Sequence, residues 1–117
     1  MTGAVSYHAG LSAEDQVARH YERRGLPIAE HRWRGKGGEI DLIARDGEGF
    51  VFIEVKKSRD HARAAERLSR RQIQRLFDTA AEFLGQCRSG LNTVARFDVA
   101  LVDAQGRIEI VEDALSG

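Results

Sequence analysis

Between Glu39 and Lys56 the chain reads Glu-Ile-Asp-Leu-Ile-Ala-Arg-Asp-Gly-Glu-Gly-Phe-Val-Phe-Ile-Glu-Val-Lys, and no other stretch restricts the fold as much. Ile40, Leu42 and Ile43, then the β-branched and aromatic run over 50–55, predict two strands. Asp46-Gly47-Glu48-Gly49 separates them and suits a turn that needs φ > 0, so the two strands should close as a hairpin. Side chains alternate along a strand, which puts Phe52, Glu54 and Lys56 on one face and Val51, Ile53 and Val55 on the other. Ions set in an apolar strand lose hydration, and each needs a partner or a metal. Asp41, mid-strand in the neighbouring segment, is disfavoured by propensity. Pairing about the turn brings it near Glu54.

Two converging carboxylates bind a hard divalent cation such as Mg²⁺, which takes oxygen ligands and keeps several waters. Lys56, on the face of Glu54, would position a water or stabilise charge developing on a phosphate. A partly buried salt-bridge network of Asp41, Glu54 and Lys56 is the purely structural alternative.

Gly38-Glu39-Ile40-Asp41-Leu42-Ile43 followed by Phe52-Ile53-Glu54-Val55-Lys56 resembles the PD-(D/E)xK nuclease signature, with Ile40-Asp41 standing for its Pro-Asp. The chain is most similar to the small bacterial YraN-like family, a group with a restriction-endonuclease-like fold and relatives among archaeal Holliday-junction resolvases. The similarity runs over residues 10–102 and includes Arg96-Phe97-Asp98-Val99. It implies that Asp41 and Glu54 are metal ligands, joined by the backbone carbonyl of Val55, and that Lys56 is the catalytic lysine. Glu14 matches an acidic position that completes the site in the resolvase-like relatives. Gln72 stands where such sequences carry a lysine. The cofactor implied is Mg²⁺ or Mn²⁺, the substrate a nucleic acid, with branched DNA and a homodimer as extensions.

Eighteen Lys and Arg balance eighteen Asp and Glu in the 117 residues, which argues against a generically basic nucleic-acid binder. The distribution is uneven. Residues 56–75 hold eight basic residues against two acidic, a net of +6, and residues 98–117 hold one against five, a net of −4. A basic segment directly after the Glu54-Lys56 strand is where a nuclease would grip phosphates. Candidates for that contact are Arg32, Arg34, Lys36, Lys57, Arg59, Arg70, Arg71 and Arg75. The length suits one domain, 1–117, with one core, and 42% hydrophobic residues suit a cytoplasmic globular protein with no membrane span. One cysteine, Cys87, excludes an intrachain disulfide, and its place on an apolar stripe predicts an inert thiol. His8, His20, His31 and His61 show no ligand spacing.

In chain order, residues 1–10 have no pattern. Ser12 with Asp15 predicts an N-cap for a helix reaching Arg24 and stopping at Gly25. Its stripe of Val17, Ala18 and Tyr21 also carries Glu14. Residues 28–34 alternate as a strand, with Ala29, His31 and Trp33 on one side and Trp33 in the core. Arg32, Arg34 and Lys36 should line the rim of the site. Gly35-Lys36-Gly37-Gly38 lacks Walker spacing and is expected to be a hairpin turn. Residues 58–67 are expected to form a loop. Ile73, Leu76, Phe77, Ala80, Leu84 and Cys87 predict a helix from 68 or 69 to 87. Strands should follow over 93–102 and 107–111, around a turn at Ala104-Gln105-Gly106.

The order α-β-β-β-α-β-β indicates an α/β (α+β) mixed sheet: three antiparallel strands, then a right-handed crossover to a parallel one. The resemblance makes this a restriction-endonuclease-like core. The function these features imply is metal-dependent hydrolysis of phosphodiester bonds. The alternatives are a nucleic-acid-binding module or accessory subunit that does not cleave, and a protein-interaction domain.

Overall fold

The computed structural model describes residues 12–57 and 69–115. The expected irregular start at 1–10 and the expected loop at 58–67, which includes Arg59, lie outside the described residues. The elements are α1 (Ala13–Arg23), β1 (Ile28–Arg34), β2 (Glu39–Asp46), β3 (Gly49–Lys57), α2 (Arg70–Leu84), a 3₁₀ turn at Gly90–Asn92, β4 (Ala95–Val102) and β5 (Ile108–Val111). They form one five-stranded sheet in the order β1-β2-β3-β4-β5. Only the β3–β4 pairing is parallel, as a helical crossover between those strands requires. The mixed α/β architecture is the one expected.

Local chemistry sets the element ends. The Ser12 hydroxyl accepts the Asp15 N–H at 3.0 Å and caps α1, a contact contributing about 1 kcal/mol. The helix ends at Arg23, with Arg24 as its C-cap and Gly25 at φ +82° beyond it. At the start of α2, Ser69 Oγ accepts the Gln72 N–H at 3.2 Å while Gln72 Oε1 accepts the Ser69 N–H at 2.9 Å. Two orphan donors are thus satisfied reciprocally. α2 ends at Leu84 instead of the expected Cys87, because Gly85 caps it. The Cys87 thiol packs in the turn after it, 3.6 Å from the carbonyl oxygen of Phe83. In the β2–β3 hairpin Gly47 takes φ +61°, the backbone a tight two-residue turn needs.

The sheet has a core on each face. On one, Val17, Ala18 and Tyr21 of α1 cover Leu42, Ala44, Val51, Ile53 and Ala100. On the other, Leu76, Ala80, Phe83 and Leu84 of α2 cover Ile40, Ile43, Phe50, Phe52 and Phe97. Phe83 is the hub of this second layer, with the rings of Trp33, Phe50 and Phe52 edge-on at 5.3, 5.1 and 5.9 Å. Trp33, expected in the core, packs half-buried against its edge. Phe77, expected on the packed stripe, stands 41% exposed beside Phe97.

One irregularity bears on the site. Ile40 and Leu42 are two residues apart and should share a face, yet Ile40 lies in the α2-side core and Leu42 in the α1-side core. Their partners follow suit: Trp33 pairs with Ile40 and His31 with Leu42. Arg32, between those partners, has φ +49°. The expected grouping of Ala29, His31 and Trp33 on one face does not hold, because of this reversal and because the β1–β2 register shifts between Ile28 and Glu30. Ala29 and Trp33 pack on the α2 side, whereas His31 sits opposite Leu42. Both strands reverse their facing at the level of Arg32 and Asp41.

Candidate active site

The β2–β3 ladder runs from Asp46–Gly49 to Leu42–Ile53. One residue further, the Asp41 carboxylate accepts the Val55 N–H at 2.8 Å, so a side chain takes the place of a ladder carbonyl. The carboxyls of Glu54 and Asp41 are neighbours, close enough to act on each other. Burial pushes the Glu54 pKa up to about 9, and the hydrogen bond to Asp41 and the Asp41 charge push the same way. The Lys56 ammonium opposes the rise, and the Glu14 charge adds to it. Burial and the neighbouring Asp41 charge thus both favour the protonated form of Glu54.

Glu54 and Lys56 open onto a groove of about 630 Å³, which Arg34, Lys36, Gln72 and Arg75 also line. The Gly35–Gly38 turn forms one wall. Gly35 N–H donates to Gly38 O at 2.9 Å, and Lys36 N–H donates to Glu82 of α2 at 2.8 Å. A Cβ on Gly38 would lie 2.8 Å from Arg75 Cγ, so a larger residue there would have to displace the Arg75 side chain. Lys57, Arg70 and Arg71 are exposed. Arg70 and Arg71 occupy the first turn of α2, where no acid stands. Cations there oppose the helix dipole, a cost that an anion at that end would offset.

Among the described residues, no group of three or more Asp, Glu, His or Cys is arranged to hold a metal ion. A pair nevertheless suits Mg²⁺, which binds through one or two carboxylates and keeps its waters. Two acids in contact, one of them retaining a proton against its ordinary tendency, form a place where a cation can replace that proton.

The profile of the "Uncharacterised protein family UPF0102" matches residues 13–102. The chain belongs to that family. A UPF0102 protein of Cereibacter sphaeroides is 60% identical over 116 residues, covering 99% of each chain. One from Ruegeria pomeroyi is 58% identical over 112 residues, covering 96% of this chain and 91% of its own. One from Dinoroseobacter shibae is 44% identical over 109 residues, covering 93% and 81%. The UPF0102 match runs from α1 to the end of β4 and contains Glu14, Asp41, Glu54 and Lys56.

Within this UPF0102 chain the expected residues are not all gathered at one point. Asp41 neighbours Glu54, and Glu54 and Lys56 line one groove with Arg34, Lys36 and Arg75, whereas Asp41 does not line it. Glu39 lines it too, paired with Arg34 at 3.1 Å. Arg32 does not line the groove. Its Nε meets Glu14 Oε1 at 2.9 Å, so Glu14 is tied to a guanidinium and stands apart from the acid pair. The half-buried Glu14 still acts on Glu54 through its charge.

Sequence reasoning passed over Asp98 as a site of consequence. It is fully buried, and its carboxylate accepts from Tyr21 Oη at 2.7 Å, from Arg96 at 3.0 and 3.2 Å, and from the Asp113 N–H at 3.0 Å. An acid inside an apolar strand was the available signal, the same one that marks Asp41. Burial and the Asp98 hydrogen bond raise the Tyr21 pKa, which keeps this hydroxyl a donor. The cluster ties α1 and the segment after β5 to β4.

Proposed function

We propose that this protein is a metal-dependent nuclease that hydrolyses phosphodiester bonds of DNA, and that it works in the cytoplasm. The observation that carries the reading is the contact between the Asp41 and Glu54 carboxyls beside Lys56 at an open, basic-walled groove. Asp41 and Glu54, with the Val55 carbonyl, would hold Mg²⁺ or Mn²⁺. Such an ion, when bound, polarises a phosphoryl oxygen and makes water a better nucleophile. The chain's own residues do the rest. The Val55 N–H holds the Asp41 carboxylate in position at the end of the hairpin. Lys56 places its ammonium beside Glu54, where it orients the attacking water and offsets charge gathering on the phosphate. Arg34, Lys36 and Arg75 grip the phosphate backbone along the groove, while Lys57, Arg70 and Arg71 extend the basic track; Arg32 reaches a phosphate from the α1 side.

Branched DNA is the substrate form we favour, acted on by a homodimer, because cutting two strands calls for two sites. The test is incubation of labelled single-stranded, duplex and four-way DNA with Mg²⁺, Mn²⁺ or EDTA. Asp41→Ala and Lys56→Ala proteins are run beside the wild type. Metal-dependent products that both variants lack support the enzyme. Identical products from all three proteins refute it. A second reading, a nucleic-acid-binding module without cleavage, draws on Glu14 being paired with Arg32 and forming no three-acid group with Asp41 and Glu54 among the described residues. Salt-sensitive binding with no products on any substrate would establish that one instead.

A further inference from the structure

We infer that Arg32 is a latch on the metal site: it holds Glu14 away from Asp41 and Glu54 until a nucleic-acid phosphate draws the guanidinium off, whereupon Glu14 joins them as a third carboxylate. The inference rests on the metal-site reading above and adds its control by substrate. Three observations converge on it.

The first is the pair itself. Arg32 Nε and Glu14 Oε1 are 2.9 Å apart, with the Arg32 side chain 66% exposed and that of Glu14 21%. Glu14 is the less exposed partner and its charge reaches Glu54, while the partner that must leave faces solvent. The second is the backbone. Arg32 has φ +49°, a conformation uncommon for non-glycine residues and typical of functional sites when it persists. It lies where β1 and β2 reverse their facing, level with Asp41, and this turns the guanidinium toward α1. The third is the surrounding charge. Arg32 sits in the field of Glu14, Glu39 and Asp41 together, and Glu14 already acts on Glu54. An arginine held by one carboxylate among several can exchange it for a phosphate, which accepts two of its N–H bonds at once. Binding of phosphate and of metal would then be coupled, and the coupling must be reciprocal.

The test is calorimetric titration of Mn²⁺ into nucleic-acid-free protein. Arg32→Asn is the variant, because Asn tolerates the left-handed backbone. Arg32→Asn is expected to bind Mn²⁺ about ten-fold tighter than wild type, within the usual range of coupling between sites. Glu14→Gln combined with Arg32→Asn should return to the affinity of Glu14→Gln alone. A short DNA duplex added to the Lys56→Ala protein should tighten Mn²⁺ about as much, and should add nothing once Arg32→Asn is also present. Unchanged or weaker Mn²⁺ binding by Arg32→Asn overturns the latch. So does a gain that survives Glu14→Gln, since loss of a nearby cation would then explain it, and so does a duplex without effect. Asp41→Asn separates this failure from a deeper one. If Asp41→Asn binds Mn²⁺ as well as wild type does, the metal-site reading falls and the latch with it. If Asp41→Asn abolishes binding while Arg32→Asn changes nothing, only the latch falls.

Discussion

Replacing Glu54 by Gln should make the protein more stable, and increasingly so as pH rises. The Glu54 pKa is about 9 in the folded chain, against the ordinary 4.5 of a solvated glutamate. Between those values the folded state binds a proton that the unfolded state has released. Stability is therefore fully present below the unfolded pKa and is lost progressively as pH climbs toward 9. The slope from one such group is at most about 1.4 kcal/mol per pH unit. From about pH 6 to about pH 8, wild type should lose up to roughly 3 kcal/mol that Glu54→Gln retains. The amide removes the titration and supplies a donor for Asp41. His20, whose pKa is lowered by burial and by Arg24 and Arg23, contributes a pH dependence of the opposite sign. It is common to both proteins and cancels in their difference. Urea unfolding of the two proteins in EDTA at both pH values measures that difference directly. Mg²⁺ at the higher pH should then restore wild type and leave Glu54→Gln unchanged, by about 2.7 kcal/mol at a hundred times the dissociation constant. A difference that is flat with pH would falsify the protonated acid pair, and with it the argument that a cation belongs there.

Other outcomes follow from the same geometry. Asp98→Ala should destabilise by about 3–5 kcal/mol, because it leaves Arg96 and the Tyr21 hydroxyl without their buried acceptor. Tyr21→Phe should cost only about 1–2 kcal/mol by chemical denaturation and leave any metal affinity unchanged. Phe83→Ala, at the meeting point of three rings, should lower stability by about 3–5 kcal/mol; a loss under about 1 kcal/mol would contradict the packing described. Arg75→Ala and Lys36→Ala should each reduce the salt dependence of DNA binding by about one counterion without lowering Mn²⁺ affinity, and an unchanged slope would remove them from the groove's phosphate track. Ser69→Ala should cost about 1 kcal/mol of stability through loss of the capping box.

Much of this architecture was visible in the residues because turns and caps act locally. Asp-Gly at 46–47 determined the hairpin, and Ser12 determined the start of α1. The end of α2 was misplaced because Cys87 continues the apolar stripe, and periodicity outweighed the glycine at 85. Gln72 drew attention as a departure from a family pattern, yet Ser69-x-x-Gln72 spells a capping box, and the structure uses it as one. The reversal of facing at Arg32 and Asp41 could not be foreseen. Strict alternation is an assumption about regular strands, and neither a Gly nor a Pro marks the break. That one irregularity sends Arg32 to Glu14 and away from the rim where alternation had placed it.

Asp98 and Asp41 sharpen the point, because the sequence presents them alike: each is an acid embedded in an apolar strand. Their surroundings differ in what they supply. Around the fully buried Asp98 the fold provides a hydroxyl, a guanidinium and a backbone N–H. That carboxylate's charge is met from within, and its role ends at holding α1 and the chain after β5 to the sheet. Around Asp41 the fold provides one backbone N–H and a second acid, beside a lysine at an open groove. Supplying an acid with another acid leaves it satisfied only while one of them keeps a proton, and a divalent cation can take that proton's place. Propensity and alternation identify both aspartates as costly. Which of them is structural and which is reactive depends on the donors the tertiary fold brings to each.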